Sequence, residues 1–202
     1  MTASLEGVQW RPVLQVFPNY VNIYAHLRSI DKFGIRLLEE QLLLNQSHVC
    51  VAMKPTPTTP PTGPLQNFPY AMVWPISITS AVTEASGVLS QGAVLALTDM
   101  LTSLHVMLAF MPTPVGHVSV SMQCNRMQVI REEDTILVIT RIDKMGQRLI
   151  FTTAEFLRSM LPATAQFDFA EIGIDAATRC YSLCGHVRHI KTVLSSGIGT
   201  TK

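Results

Sequence analysis

One segment limits the fold of this chain more than any other. Residues 91–110 (QGAVLALTDMLTSLHVMLAF) have the composition of a helix, and their apolar residues extend nearly all the way round it. A helix with this pattern is buried on most of its sides, whereas a surface helix has a single apolar stripe. The rest of the chain must therefore supply a sheet that curls around this helix.

Asp99 is the exception inside this apolar helix. It lies about two turns from the helix start, which is too deep for an N-cap. A carboxylate in such a place is costly unless it is paired or used. Two interpretations stay open: Asp99 bonds Ser103 or a nearby loop or faces solvent through a gap, or it points into a cleft as a nucleophile or general base.

The remaining segments predict strands on both sides of the helix. Their patterns indicate strands at 48–53, 70–79, 117–127, 135–143, 148–156 and 178–190. Pro75 restricts part of the second strand to a sheet edge or a bulge. Residues 144–147 are predicted to form a turn between two later strands. Two strands, a long helix and then further strands with short connections predict an α+β protein with an antiparallel sheet.

Composition narrows the classes of function. The net charge is +1, only 14% of residues are charged, and no basic run is present, so nucleic acid is not an expected ligand. Apolar runs are interrupted before they reach membrane-spanning length, which predicts a buried core and a subunit interface and no membrane span. Four scattered cysteines and the lack of a secretory signal predict an intracellular protein, either cytoplasmic or mitochondrial.

A family resemblance is carried by residues 83–99 (TEASGVLSQGAVLALTD). They resemble the entry to the central helix in hotdog-fold acyl-CoA thioesterases of the phenylacetate-degradation and 4-hydroxybenzoyl-CoA type. The family pattern is Asn or Gln, five residues, His-Gly-Gly, six residues, then Asp or Glu, and this chain keeps that spacing. The later segments HVSVSMQCNRM and DTILVITRIDKMGQRLIFTTAEF resemble the next three strands, so the similarity covers 70–191.

The resemblance implies a hotdog fold, a curved antiparallel sheet wrapped around one long central helix. Residues 48–202 would form the hotdog domain, with a Pro-rich insertion at 55–69 that is an exposed loop or hairpin. Residues 1–47 are predicted to be an N-terminal arm that contains a short extra amphipathic helix at 33–44.

Catalytic roles carry over unevenly from the family to this chain. Asp99 matches the carboxylate that attacks the thioester carbonyl or activates water, and Ser119 matches a serine that places the water or the carboxylate. Glu84 stands where the family has an amide donor, Ser90 replaces the histidine and Gln91 replaces the first glycine.

The three departures have physical consequences. The Gln91 N–H can still hold the thioester oxygen at the helix N-terminus. Ser90 is a good N-cap residue, which is a structural alternative to a role in the site. An ionised Glu84 would add negative charge near a developing oxyanion, unless it is a solvated loop carboxylate.

The resemblance also implies a ligand and an assembly. Acyl-CoA would bind at the interface of a homodimer, or of a dimer of dimers, with coenzyme A as part of the substrate and no other cofactor. The residues expected to contact CoA are Gly92, Gly146, Arg148, Arg188 and Lys191, although solvated strand ends are the alternative for the basic ones. No metal is expected, because His186 and His189 would point to opposite faces of a strand. His105 is expected to be a core or interface histidine.

Two functions therefore remain. The first is acyl-CoA thioester hydrolysis that depends on Asp99 and Ser119. The second is a non-catalytic hotdog subunit that serves as a binding or assembly component of a larger complex, which the departures at Glu84, Ser90 and Gln91 favour.

Overall fold

The computed structural model describes residues 9–19, 50–53, 69–111, 115–146, 148–160 and 181–194. Before the long helix lie β1 (Gln9–Pro12), α1 (Val13–Val16), β2 (Cys50–Met53) and β3 (Pro69–Ser77), followed by a short 3₁₀ turn at Ser80–Val82. The long helix is α2 (Gln91–Ala109). After it come β4 (His117–Arg126), β5 (Thr135–Met145), β6 (Leu149–Ser159) and β7 (Tyr181–Val193).

The seven strands of the described residues form one antiparallel sheet in the order β1-β2-β3-β5-β6-β7-β4. Helix α2 contacts every strand from β3 to β7. Its buried residues share a core with the inward side chains of β3, β5, β6 and β7. The α+β fold with one central helix covered by an antiparallel sheet is therefore confirmed.

Helix α2 is long and apolar enough, judged by length and composition, to cross a membrane. Within the fold, however, 72% of its most apolar window is buried. The sheet supplies the apolar surroundings that a bilayer would otherwise provide, so α2 is a core helix.

The sequence-based boundaries need three corrections. Pro69 belongs to β3 and not to the Pro-rich insertion. Lys144 and Met145 still pair with Phe151 and Ile150, so the β5–β6 turn lies between Met145 and Leu149. The N-terminal segment contributes β1 to the sheet and two side chains, Val13 and Phe17, to the core. The predicted helix at 33–44 and residues 55–68 of the insertion lie outside the described residues.

The position of Pro75 agrees with its missing N–H. On one side it pairs with Leu137 of β5. On the other side β2 pairs with β3 only as far as Val73, so in the described part of the sheet Pro75 lies beyond the end of that ladder. A strand edge is where proline is tolerated. Residues 48 and 49, which would lie opposite Pro75 and Trp74, are outside the described residues, so the edge position of Pro75 stays a prediction.

A buried hydrogen-bond pair fixes α2 against the sheet. Thr140 Oγ1 on β5 accepts a hydrogen bond of 2.9 Å from Trp74 Nε1 and lies 2.9 Å from His105 Nδ1 on α2. His105 is completely buried, which confirms its assignment as a core histidine.

We predict that Thr140→Val reduces the free energy of unfolding by about 2–4 kcal/mol, because two buried polar groups lose a partner at once. Chemical denaturation would measure the change. Thr152→Val is the matched control: Thr152 is also buried, but its hydroxyl donates a single bond of 3.0 Å, to the His189 carbonyl. Equal losses in the two variants would contradict the shared role of Thr140.

Candidate active site

Asp99 lies on the face of α2 that meets β4 and β7. Its side chain is 41% exposed, so it is neither sealed in the core nor fully solvated. Its Oδ1 accepts a 2.6 Å hydrogen bond from Ser119 Oγ and a 2.8 Å hydrogen bond from Lys191 Nζ. Helix α2, strand β4 and strand β7 therefore meet at one carboxylate oxygen, Oδ1 of Asp99.

A β-bulge sets this meeting point. Ser119 is in register with Lys191, but Ser121 is already in register with Ile190, so Val120 is the extra residue on β4. A bulge bends its strand and redirects the side chains beside it. Here it occurs at the residue that carries the Ser119 hydroxyl to Asp99.

Lys191 differs from its expected role. It was predicted to contact CoA phosphates at a strand end, but it is completely buried. Its ammonium points to α2, where it donates to Asp99 and, at 2.8 Å, to Ser103 Oγ. A buried ammonium needs such partners to remain charged, and this position does not suit contact with a phosphate.

His189 completes the cluster on the buried face of β7. Its Nε2 lies 2.9 Å from Ser119 Oγ and 3.6 Å from Asp99 Oδ1. Its Nδ1 lies 2.9 Å from Thr102 Oγ1 on α2. We call Asp99, Ser119, His189 and Lys191 the polar cluster; the sequence predicted Asp99 and Ser119 as catalytic but did not predict His189 for this site.

Burial and charge together set the protonation of the polar cluster. Burial opposes ionisation of Asp99, but the Lys191 ammonium and the hydrogen bonds from Lys191 and Ser119 hold its pKa below the usual value. Burial, assisted by repulsion from Lys191, lowers the pKa of His189 to about 4. Burial also lowers the pKa of Lys191, against the opposing effect of Asp99. Asp99 and Lys191 therefore each favour the charged form of the other, and the His189 imidazole is neutral at neutral pH.

The start of α2 is a separate region of the same chain. Ser90 Oγ accepts a 3.1 Å hydrogen bond from the Ala93 N–H, so Ser90 is the N-cap as predicted. Gln91 and Gly92 are exposed, and a Cβ on Gly92 would meet nothing within 4 Å. Eight residues of helix, about 12 Å, separate Gln91 from Asp99, so the two do not converge within one chain.

Glu84 lies in the turn that precedes the helix. Its N–H donates to Val88 O and its carbonyl accepts from Gly87 N, each at 2.8 Å. Gly87 has a φ of +72°, which glycine adopts without strain. The Glu84 side chain is exposed and is not part of the polar cluster.

The other residues predicted to contact CoA lie on the sheet. Gly146 is in the β5–β6 turn, where its N–H donates to Leu149 O at 2.8 Å and a Cβ would come within 3.1 Å of that oxygen. Glycine at this position is thus explained by the turn itself. Arg148 and Arg188 are exposed and remain open to an anionic ligand.

Comparison with protein-family models finds no match, and comparison with curated proteins also finds none. Solved structures do match. Thioesterase superfamily member 2 from Mus musculus is 17% identical over 87% of this chain and 95% of its own, with a TM-score of 0.54. Zebrafish thioesterase superfamily member 2 is 18% identical over 86% of this chain and 94% of its own, with a TM-score of 0.52. At this level of identity the structural similarity shows the fold alone: the chain has the hotdog fold, as these two proteins do.

Proposed function

We propose that this chain hydrolyses the thioester bond of an acyl-CoA, and that Asp99 is the carboxylate on which the reaction depends, as nucleophile or general base. The observation that carries the proposal is the state of Asp99. It lies on the central helix of a hotdog fold, stays partly open to solvent and is kept ionised by Lys191 and Ser119. Structures of thioesterase superfamily members with the same fold support the reaction class.

The chemistry follows from the charge distribution at Asp99. Both short contacts within the described residues are made to Oδ1. We therefore assign the reaction to Oδ2. It either removes a proton from the attacking water, as a general base, or bonds the thioester carbonyl carbon, as a nucleophile. The oxyanion that develops on the carbonyl oxygen would be held by the Gln91 N–H at a helix N-terminus.

Because Gln91 and Asp99 are far apart in one chain, the complete site requires a second copy. We propose a homodimer in which the helix start of one subunit faces Asp99 of its partner.

The exposed guanidinium groups of Arg148 and Arg188 are the candidates for contact with CoA phosphates, because arginine binds phosphate oxygens in a bidentate manner.

The test is a panel of acyl-CoAs of different chain lengths incubated with the full chain, with release of free thiol as the measurement. Hydrolysis of at least one substrate is expected. Failure to hydrolyse or bind any of them would reject the proposal and favour the non-catalytic assembly subunit.

The dimer gives a further prediction. In the described part of the sheet, β4 pairs with β7 alone, and Val118 and Val120 on it are 46% and 57% exposed. We expect the wild type to elute as a dimer and Val120→Lys to elute as a monomer, because buried like charges would oppose pairing of two edges. Thiol release should fall at least about 100-fold with the loss of the shared site. Met160→Lys, which replaces another exposed apolar residue, directly after the end of β6 and away from β4, is the control. A monomeric wild type with full activity would contradict the two-subunit site.

The pH profile should reflect the polar cluster. The active form contains ionised Asp99 and neutral His189. Both groups become protonated only in acid, because the pKa of Asp99 is lowered and that of His189 is about 4. We expect kcat/KM to stay constant from about pH 8 to about pH 5 and to fall below about pH 4.

Lys191→Met should move this acid limb to higher pH. Without the ammonium, burial of Asp99 is less opposed and its pKa rises, while His189 loses the repulsion that lowers its pKa. Lys144→Met, at an exposed lysine of β5, should leave the limb in place. Superimposable profiles for wild type and Lys191→Met would show that Lys191 does not control these groups.

A further inference from the structure

The hydrogen bonds around Thr102 determine which nitrogen of His189 carries a proton. Thr102 Oγ1 lies 2.7 Å from the Thr98 carbonyl oxygen, and a carbonyl oxygen can only accept. The single hydroxyl proton of Thr102 is therefore donated to Thr98. Since Thr102 Oγ1 also lies 2.9 Å from His189 Nδ1, the proton of this second contact must come from Nδ1.

A neutral imidazole has only one N–H, so a proton on Nδ1 leaves Nε2 with a free lone pair. The ring is neutral at pH 7 because burial and the Lys191 charge hold its pKa at about 4. The lone pair of Nε2 faces Ser119 Oγ at 2.9 Å. This tautomer and this distance are what a histidine needs to remove the proton of a serine hydroxyl.

The other groups around the serine fit the same role. Asp99 Oδ1 lies 3.6 Å from Nε2, so its negative charge stabilises the imidazolium that forms when the proton is transferred. Ser119 is exposed on β4, so an acyl group can reach its oxygen. Its one proton has two acceptors, Asp99 Oδ1 at 2.6 Å and His189 Nε2 at 2.9 Å, and transfer to either needs no rearrangement of the cluster.

We propose that Ser119 is the first nucleophile of this site and His189 its general base, so that hydrolysis passes through an acyl-serine that Asp99 then helps to release. Thr102 is a positioning residue, since it fixes the ring tautomer. The identity of the substrate as a thioester rests on the proposed function; the reactivity of Ser119 does not.

The steps balance without any further reactant. Ser119 Oγ bonds the thioester carbonyl carbon while its proton moves to His189 Nε2. The C–S bond then breaks, and the leaving thiolate takes the proton from Nε2, because burial makes this imidazolium more acidic than a solvated one. Asp99 Oδ2 next accepts a proton from a water molecule while the oxygen of that water attacks the carbonyl carbon of the acyl-serine. The ester C–O bond breaks, Ser119 Oγ regains a proton from Asp99, and the carboxylic acid leaves.

The decisive experiment uses Asp99→Asn, which is expected to block the second half of the reaction more than the first. After mixing with acyl-CoA, this variant should release about one thiol per site in a burst, and mass spectrometry of the digested protein should find the acyl group on Ser119. Asp99→Asn/Ser119→Ala should show neither the burst nor the adduct. An acyl group found on another residue, or a burst that persists without Ser119, would overturn the proposal.

A second probe does not depend on acyl-CoA. An alkyl fluorophosphonate should label the wild type at Ser119, and His189→Ala should slow labelling at least about 100-fold. His186→Ala is the matched control, because His186 lies on the same strand three residues earlier and outside the polar cluster. Labelling at Ser119 without hydrolysis of any acyl-CoA would reject the thioesterase but retain the nucleophile. Hydrolysis of acyl-CoA with neither labelling of Ser119 nor an acyl-serine would retain the thioesterase but reject Ser119 as the nucleophile. Absence of hydrolysis and of labelling would reject both proposals.

Discussion

Asp99→Asn is expected to reduce the steady-state rate of acyl-CoA hydrolysis by about 1000-fold or more. Asparagine keeps the size of the side chain and can still accept a hydrogen bond through its amide oxygen. It cannot accept a proton at neutral pH, and it removes the charge that opposes Lys191 and would stabilise a protonated His189. General acid–base groups of this kind contribute about 100-fold to 10,000-fold. The measurement is thiol release at saturating substrate.

Asp143→Asn provides the matched control. Asp143 is also an aspartate that accepts a side-chain hydrogen bond, of 3.3 Å from Thr153 Oγ1, but it is exposed and lies on β5 outside the polar cluster. Its substitution should leave the rate within about twofold of the wild type. Both variants should be assayed well below their unfolding temperatures. A fully active Asp99→Asn would remove this carboxylate from the mechanism.

The fold was predictable because its strongest signal is local. The apolar residues of α2 extend round the whole helix, which requires a sheet on several sides, and the strands on either side have their own patterns. The place of β4 was not predictable in this way. It follows α2 in the chain but pairs with β7, the last described strand, and strand order depends on long-range contacts that no local pattern encodes.

The candidate site was predictable only in part. A single carboxylate in an apolar helix indicated Asp99, and the family resemblance indicated Ser119. His189 and the true position of Lys191 depend on the β4–β7 register and on the bulge at Val120. One signal was present: strand alternation puts Val187, His189 and Lys191 on one face, and two titratable groups on the buried face of a strand need partners.

Asp99→Ala and Lys191→Met are expected to have unequal effects on stability, although they break the same ion pair. Asp99→Ala leaves a completely buried ammonium that keeps only neutral partners: Ser103 Oγ at 2.8 Å and, at 3.5 Å each, Ser119 Oγ and the backbone carbonyl of residue 99. Removing one partner of a buried ion pair so that the other charge stays buried without it costs about 3–5 kcal/mol. We therefore expect the free energy of unfolding to fall by about 3 kcal/mol. Lys191→Met leaves a carboxylate that is 41% exposed and that water can solvate, and methionine fills much of the vacated space. We expect a loss of about 1 kcal/mol or less.

The double variant Asp99→Ala/Lys191→Met should therefore be more stable than Asp99→Ala alone, because no stranded charge remains. Burial already lowers the pKa of Lys191 in the wild type, and the loss of Asp99 in Asp99→Ala lowers it further. At pH values between the pKa of Lys191 in the folded protein and its pKa in the unfolded chain, the unfolded chain binds more protons than the folded protein. Stability of that variant should then rise with pH toward about 10, and the double variant should lack this slope. Denaturant titrations of the four proteins at several pH values measure both effects. Equal and additive losses would mean that Lys191 reaches solvent in solution and that the ion pair is a surface contact.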